Sequence, residues 1–163
     1  WAILQGGLRE SGMLMLIMGT SILFGYMMSS LQVTQSVAQA IGEMHANRWL
    51  ILAAVNLLLL VAGMFLPPAA IILMTTPILM PVITAAGFDP IWFGVVLTIN
   101  MELGLITPPV GLNLFVINGI TPDVRLPTIL KGAFPFMLCM VVAILILCVV
   151  PEIATWLPKA LMG

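Results

Sequence analysis

The run from Ile99 to Val116 reads Ile-Asn-Met-Glu-Leu-Gly-Leu-Ile-Thr-Pro-Pro-Val-Gly-Leu-Asn-Leu-Phe-Val. It places two prolines, two glycines, two asparagines and one glutamate inside an apolar stretch of membrane length. Pro108 and Pro109 carry no backbone N–H, so carbonyls one turn back lose their donors. Gly104 and Gly111 let the chain leave helical geometry cheaply. Freed backbone groups in hydrocarbon cost several kcal/mol each, so such a break persists only where protein buries it or a cavity receives it. Broken helices near the bilayer midplane are where secondary transporters bind ions and substrate, and the pattern points to transport. The candidate residues are Gly104, Thr107, Pro108, Pro109 and Gly111 at the break, with Asn100, Glu102 and Asn113 flanking it.

The elements that position this segment are set by composition. Of the 163 residues 62% are hydrophobic and 7% charged, and the mean hydropathy is +1.23. Globular chains carry roughly 25% charged residues, so the chain reads as an all-α integral membrane protein. A formal net charge of -1, with no basic patch interleaved with aromatics, leaves nucleic-acid binding without a footprint. Cys139 and Cys148 fall in one predicted helix, roughly 13 Å apart at the helical rise and beyond disulfide reach. Both read as apolar packing.

Hydrophobic blocks separated by short polar punctuation fill residues 1–163, with no linker that would mark a second domain. Trp1 to Ser11 is expected as an interfacial lead-in and Met13 to Ser30 as a span. Leu31 to Arg48, with Glu43 and His45, alternates polar and apolar residues as a short amphipathic helix on the membrane surface would. Residues 49–86 form two apolar legs joined at Pro67 and Pro68. Two full spans with a tight turn are possible, but the uncharged tip, Gly63 to Ala70, favours a re-entrant hairpin ending inside the membrane. The second leg contains Thr75, Thr76, Pro77 and Pro81, with the hydroxyls expected to bond back one turn. Residues 91–118 form the broken helix, and residues 134–150 the last span. Arg9, Arg125 and Lys131 outnumber Arg48 and Lys159 across the bilayer, which places the C-terminus and the hairpin mouth outside the cell.

Two rival classes are weighed against transport. An intramembrane enzyme needs a nucleophile and base, or metal ligands, at membrane depth. The chain has no His-Glu-x-x-His, no Gly-x-Ser-x-Gly and no pair of intramembrane aspartates, so it is expected not to be an enzyme, and no transition-metal site is expected. A non-conducting structural subunit has no use for two adjacent helix-breaking devices. Asn56 and Asn100 also have a plainer role as interhelical hydrogen-bond glue. Glu102, the single acid inside a predicted span, is open to either a scaffold or a coupling role.

Gly63-Met-Phe, Thr75-Thr-Pro-Ile-Leu-Met-Pro-Val and Glu102-Leu-Gly-Leu-Ile-Thr-Pro-Pro-Val-Gly-Leu-Asn-Leu-Phe-Val together carry a family likeness. In them the chain resembles the large membrane subunit of tripartite ATP-independent periplasmic (TRAP) transporters, the C4-dicarboxylate type and its relatives. Members of that family are longer and consist of two inverted repeats, each with a re-entrant hairpin and a broken helix. The resemblance therefore implies that this chain, which opens on Trp1, is the C-terminal half of an elevator-type transporter. It further implies sodium-coupled uptake of a small organic acid across the bacterial inner membrane, with a periplasmic substrate-binding protein and a small membrane subunit as partners. No cofactor is implied beyond the sodium ion. Under that reading, the sodium shell draws on backbone oxygens of Gly63, Pro67, Pro68 and Ala69 at the tip and of Gly104 to Gly111 at the break, plus the Thr107 hydroxyl. Asn113 and Asn100 are assigned to substrate, and Glu102 to coupling, with a proton in place of sodium as the alternative. Many relatives have an acidic or hydroxyl residue at the tip; Leu66, Pro67 and Pro68 here offer only backbone oxygens.

Overall fold

The computed structural model describes residues 1–32, 35, 36, 39, 47–121 and 123–162, and every regular element among them is helical. In chain order these are α1 (Ala2–Ser30), α2 (Arg48–Gly63), α3 (Pro68–Ala85), α4 (Pro90–Ile106), α5 (Leu112–Ile120), α6 (Leu126–Val149) and α7 (Glu152–Met162). Three of them are long and apolar enough to cross a membrane, over Ile3–Met28, Pro68–Ala85 and Leu126–Val149. The 16-residue α2 and 17-residue α4 reach only roughly 24–26 Å, short of a hydrocarbon core of about 30 Å.

Local sequence sets the helix boundaries. Asn47 caps α2 by accepting from Trp49 N, and Asp89 caps α4 by accepting from Ile91 N and Trp92 N with Pro90 in the first turn. Helix α3 ends in a paired closure, Gly87 N to Thr84 O and Phe88 N to Ile83 O, for which Gly87 adopts a φ of 82°. Inside α3 the prolines are tolerated while Thr75 and Thr76 donate to Ile71 O and Ile72 O. Helix α1 packs along α3, where Gly25 faces the Pro77 ring so closely that an added Cβ would lie 3.1 Å from it.

Helix α4 is the centre of the domain and meets α2, α3, α5, α6 and α7. Its Trp92, Phe93, Val96, Leu97 and Met101 pack with Leu52 and Leu59 of α2, Ile71 and Ile83 of α3 and Leu147 of α6. The two legs of the 49–86 segment part company: α2 lies principally on α4, and α3 principally on α1. Helices α1 and α6 turn Leu16, Ile22, Leu23, Phe136, Leu145 and Val149 outward, as helices facing lipid or further apolar protein do.

One buried hydrogen bond fixes the start of α4 to the end of α6. The carbonyl of Leu147 has no helical donor, because the residue four places on is Pro151, and the Trp92 indole N–H reaches it at 2.8 Å. Trp92→Phe keeps an aromatic ring, deletes the pyrrole half of a buried indole and orphans this carbonyl. The expected loss is about 1–3 kcal/mol of stability, read as a lower melting temperature of the detergent-solubilised complete permease, and an unchanged melting temperature would refute it.

Several boundaries differ from those expected from sequence. The lead-in before Met13 is helical and continuous with α1, since Gly6 and Gly7 do not interrupt it. The last long helix begins at Leu126 rather than near Phe134. Pro127 sits in its first turn, where no N–H is needed, and Pro135 is accommodated inside. Helix α7 was not anticipated. Pro158 disguises it, although Ile153, Trp156, Leu157 and Leu161 recur at helical spacing and are exposed. The surface helix expected over Leu31 to Arg48 falls largely outside the described residues, and Glu43 and His45 lie wholly outside them.

A broken helix beside a hairpin tip

The break occupies Thr107 to Gly111, between α4 and α5. Thr107 N turns back to Gly104 O at 3.2 Å, and the Thr107 hydroxyl donates to Leu103 O at 2.5 Å. The proton of that hydroxyl is committed, which leaves its lone pairs as the uncommitted capacity. Leu105 O would take its helical donor from residue 109, a proline, and has none. The Pro108–Pro109 peptide bond is cis. Gly111, with a φ of 56°, starts α5 and accepts from Leu114 N at 2.8 Å.

Two carbonyls converge on Gly111. A Cβ added there would lie 3.1 Å from Thr107 O and 3.3 Å from Leu105 O, as well as 2.8 Å from Leu114 Cδ1. The break therefore gathers main-chain oxygens of α4 around the N-terminal end of α5. Partial negative charge from a helix C-terminus and partial positive charge from a helix N-terminus meet in one short segment.

The hairpin tip comes to this segment through Gly63. A Cβ on Gly104 would lie 2.8 Å from Gly63 C, 2.9 Å from Gly63 Cα and 3.2 Å from Gly63 O. Gly104 is the glycine this approach requires, since a Cβ on Gly63 would meet Gly104 Cα only at 3.4 Å. The rest of the tip turns through Met64 N to Leu60 O and Leu66 N to Ala62 O, and α3 then opens with Pro67 and Pro68. Pro67 and Ala69 are exposed, and Pro68 is half-buried. The structure thus joins Gly63 to Gly104, and Gly111 to Leu105 and Thr107. Pro108, Pro109 and Asn113 are exposed, as is Glu102.

Asn100 lies one turn before Gly104 on α4. It is buried, at 2% exposure, and its amide nitrogen donates to Asn56 O at 2.9 Å and Asn56 Oδ1 at 2.7 Å. Asn56 in turn donates to Leu52 O. Both partners of Asn100 are acceptors, so the orientation of its amide is dictated, and Oδ1 is buried without a donor among the described residues. This pair clamps α2 to α4. Asn56, Gly63 and Leu105 carry parts of the arrangement that composition alone did not bring together; the spacing of Asn56 and Gly63, two helical turns apart, was the available signal.

These features define an all-α integral membrane domain in which an interrupted central helix lies against a helical hairpin. The family described as tripartite ATP-independent periplasmic transporter, DctM component, matches residues 1–153, and the chain belongs to it. It is 40% identical over 156 residues to the C4-dicarboxylate TRAP transporter large permease protein DctM of Pseudomonas aeruginosa, covering 93% of this chain and 36% of that protein. It is 35% identical over 143 residues to the isethionate TRAP transporter permease protein DctMQ of Oleidesulfovibrio alaskensis, covering 88% of this chain and 22% of that one. It is 31% identical over 149 residues to the sialic acid TRAP transporter large permease protein SiaM of Vibrio cholerae, covering 91% and 34%. The chain thus spans about a third or less of these relatives. By name they are transporters rather than enzymes.

Proposed function

We propose that this chain is the C-terminal repeat of a permease that takes up a small organic acid, coupled to sodium and supplied by a periplasmic substrate-binding protein. A small membrane subunit completes the assembly in the inner membrane. The relatives are named for C4-dicarboxylate, isethionate and sialic acid, which share an acidic group, and a carboxylate is the substrate class proposed here. In this reading α2 and α3 are the legs of a re-entrant hairpin, and the hairpin moves with the broken helix as an elevator-type transport domain.

The observation that carries the reading is the contact of Gly63 with Gly104 beside the unpaired carbonyls of the break. Sodium takes oxygen ligands, and the Thr107 hydroxyl with carbonyls at Gly63 and Leu105 to Gly111 supplies them without a fixed negative charge. The N-terminus of α5, with Asn113 in its first turn, is the complementary place for the substrate's anionic group. Asn100 acts behind the site, by holding α2 on α4.

The test is uptake into proteoliposomes holding the complete permease, its small subunit and its binding protein, with and without an inward sodium gradient. Taken as equal to a hydrogen bond to a charged group, one oxygen contact to the cation is worth roughly 1.5–3 kcal/mol. Thr107→Ala is therefore expected to raise the sodium concentration needed for half-maximal uptake about tenfold or more. Wild-type sodium dependence in this variant would remove Thr107 from the site. Uptake that ignores sodium and follows a pH gradient would transfer coupling to Glu102, and no uptake under any gradient would favour a structural subunit.

A further inference from the structure

A second site lies at the opposite end of α2 and α4 from the break. There Arg48, Trp49, Asp89, Trp92, Glu152 and Lys159 line a cavity of about 440 Å³. Its charges are balanced in kind but not in pairing. Asp89 uses Oδ1 to cap α4, and its Oδ2 lies 4.0 Å from Lys159 Nζ. Among the described residues Arg48 has no carboxylate within ion-pair distance, and Glu152 has no cation. Arg48 is instead held over aromatic rings, 5.3 Å from the Trp49 centroid and 5.8 Å from that of Phe88, which itself stacks on Trp92 at 5.2 Å. One wall thus offers a positioned guanidinium and another an unpaired carboxylate. A guanidinium fork matches phosphate.

The surroundings decide the source of that phosphate. Trp49 and Trp156, both exposed, mark headgroup depth, and α7, with Leu157 and Ile153 also exposed, lies against this end of the domain. Val149 lines the cavity and also an apolar groove that continues along α6 past Ile146, Leu145 and Val142. A polar cavity opening into an apolar groove on a membrane-crossing helix has the shape of a lipid. With Arg48 and ring stacking occupying the aromatic faces, the ammonium of a zwitterion is left to Glu152, which favours a primary ammonium able to donate hydrogen bonds.

We propose that the cavity bounded by Arg48 and Glu152 binds one phospholipid with a phosphate and primary-ammonium headgroup, phosphate on Arg48, ammonium on Glu152 and an acyl chain along α6. The experiment is native mass spectrometry of the complete permease, delipidated and then offered phosphatidylethanolamine, phosphatidylcholine, phosphatidylglycerol or soluble glycerophosphoethanolamine. One phosphatidylethanolamine is expected to be retained in preference to the others. Arg48→Gln is expected to weaken that retention about tenfold, the loss of one charge-assisted contact. Glu152→Gln is expected to erase the preference over phosphatidylglycerol, and Lys131→Gln, at the other end of α6, to change nothing. Circular dichroism confirms that each variant is folded. The proposal is overturned by equal retention of all three lipids, by retention indifferent to Arg48→Gln, or by competition from glycerophosphoethanolamine as effective as the lipid. Loss of binding-protein docking in Arg48→Gln with lipid retention intact would also overturn it, by assigning the cavity to a protein contact.

Discussion

Gly104→Ala in the complete permease is expected to abolish most uptake and to lower stability by about 1–3 kcal/mol, the range for an overpacked contact. The added Cβ meets the carbonyl carbon and Cα of Gly63 at 2.8 and 2.9 Å. Those are main-chain atoms, so no side chain can rotate aside, and α2 must lift from α4 at the hairpin tip. Gly94→Ala on the same helix meets nothing within 4 Å and serves as the control. Gly63→Ala falls between the two, because its Cβ meets Gly104 Cα at 3.4 Å and Met101 Cε at 3.7 Å, ordinary contacts. Thermal melting and uptake in parallel read the series. If Gly104→Ala matched Gly94→Ala in both, the close crossing would have no part in transport.

Gly111→Ala has the second large effect, and it acts on the ion as well as on the fold. A left-handed backbone costs an L-residue about 1–2 kcal/mol, and this cost alone is also incurred by Gly87→Ala, whose φ is 82° and whose Cβ meets nothing within 4 Å. At Gly111 the Cβ additionally presses on Thr107 O and Leu105 O. Gly111→Ala is expected to lose more stability than Gly87→Ala, because its Cβ must also displace Leu114 Cδ1 at 2.8 Å, and only Gly111→Ala is expected to raise the sodium requirement of uptake, about tenfold or more if one oxygen is displaced. Equal sodium dependence in the two variants would show that the converging carbonyls are not the ligands. The pair separates backbone cost from site geometry, which a single variant does not.

Several features follow from the sequence alone because their causes are local. A chain this apolar, with so few charges, has no route to a water-soluble fold, and apolar blocks of helical length become helices since each satisfies its own backbone hydrogen bonds. The interruption after Ile106 follows from two consecutive residues without N–H groups and a glycine that accepts a positive φ. The family likeness is equally local, resting on the run around Thr107 to Leu114.

What only the tertiary structure decided are the meetings between segments distant in sequence. Gly63 and Gly104 are both candidates from sequence, but that they touch, and that Gly104 has no room for a Cβ, appears only when α2 crosses α4. Asn56 and Asn100 become a buried pair for the same reason, while Glu102, on the next-but-one position of α4, is left exposed. Helix α7 and the cavity between Arg48 and Glu152 were hidden because Pro158 masks the helix, and because the cavity's walls come from three separated stretches of chain. The physical reason is common to all of these. Helix formation is decided by hydrogen bonds and side-chain preferences within a few residues, whereas a binding site is decided by which helix faces approach closely, and that depends on packing across the whole domain.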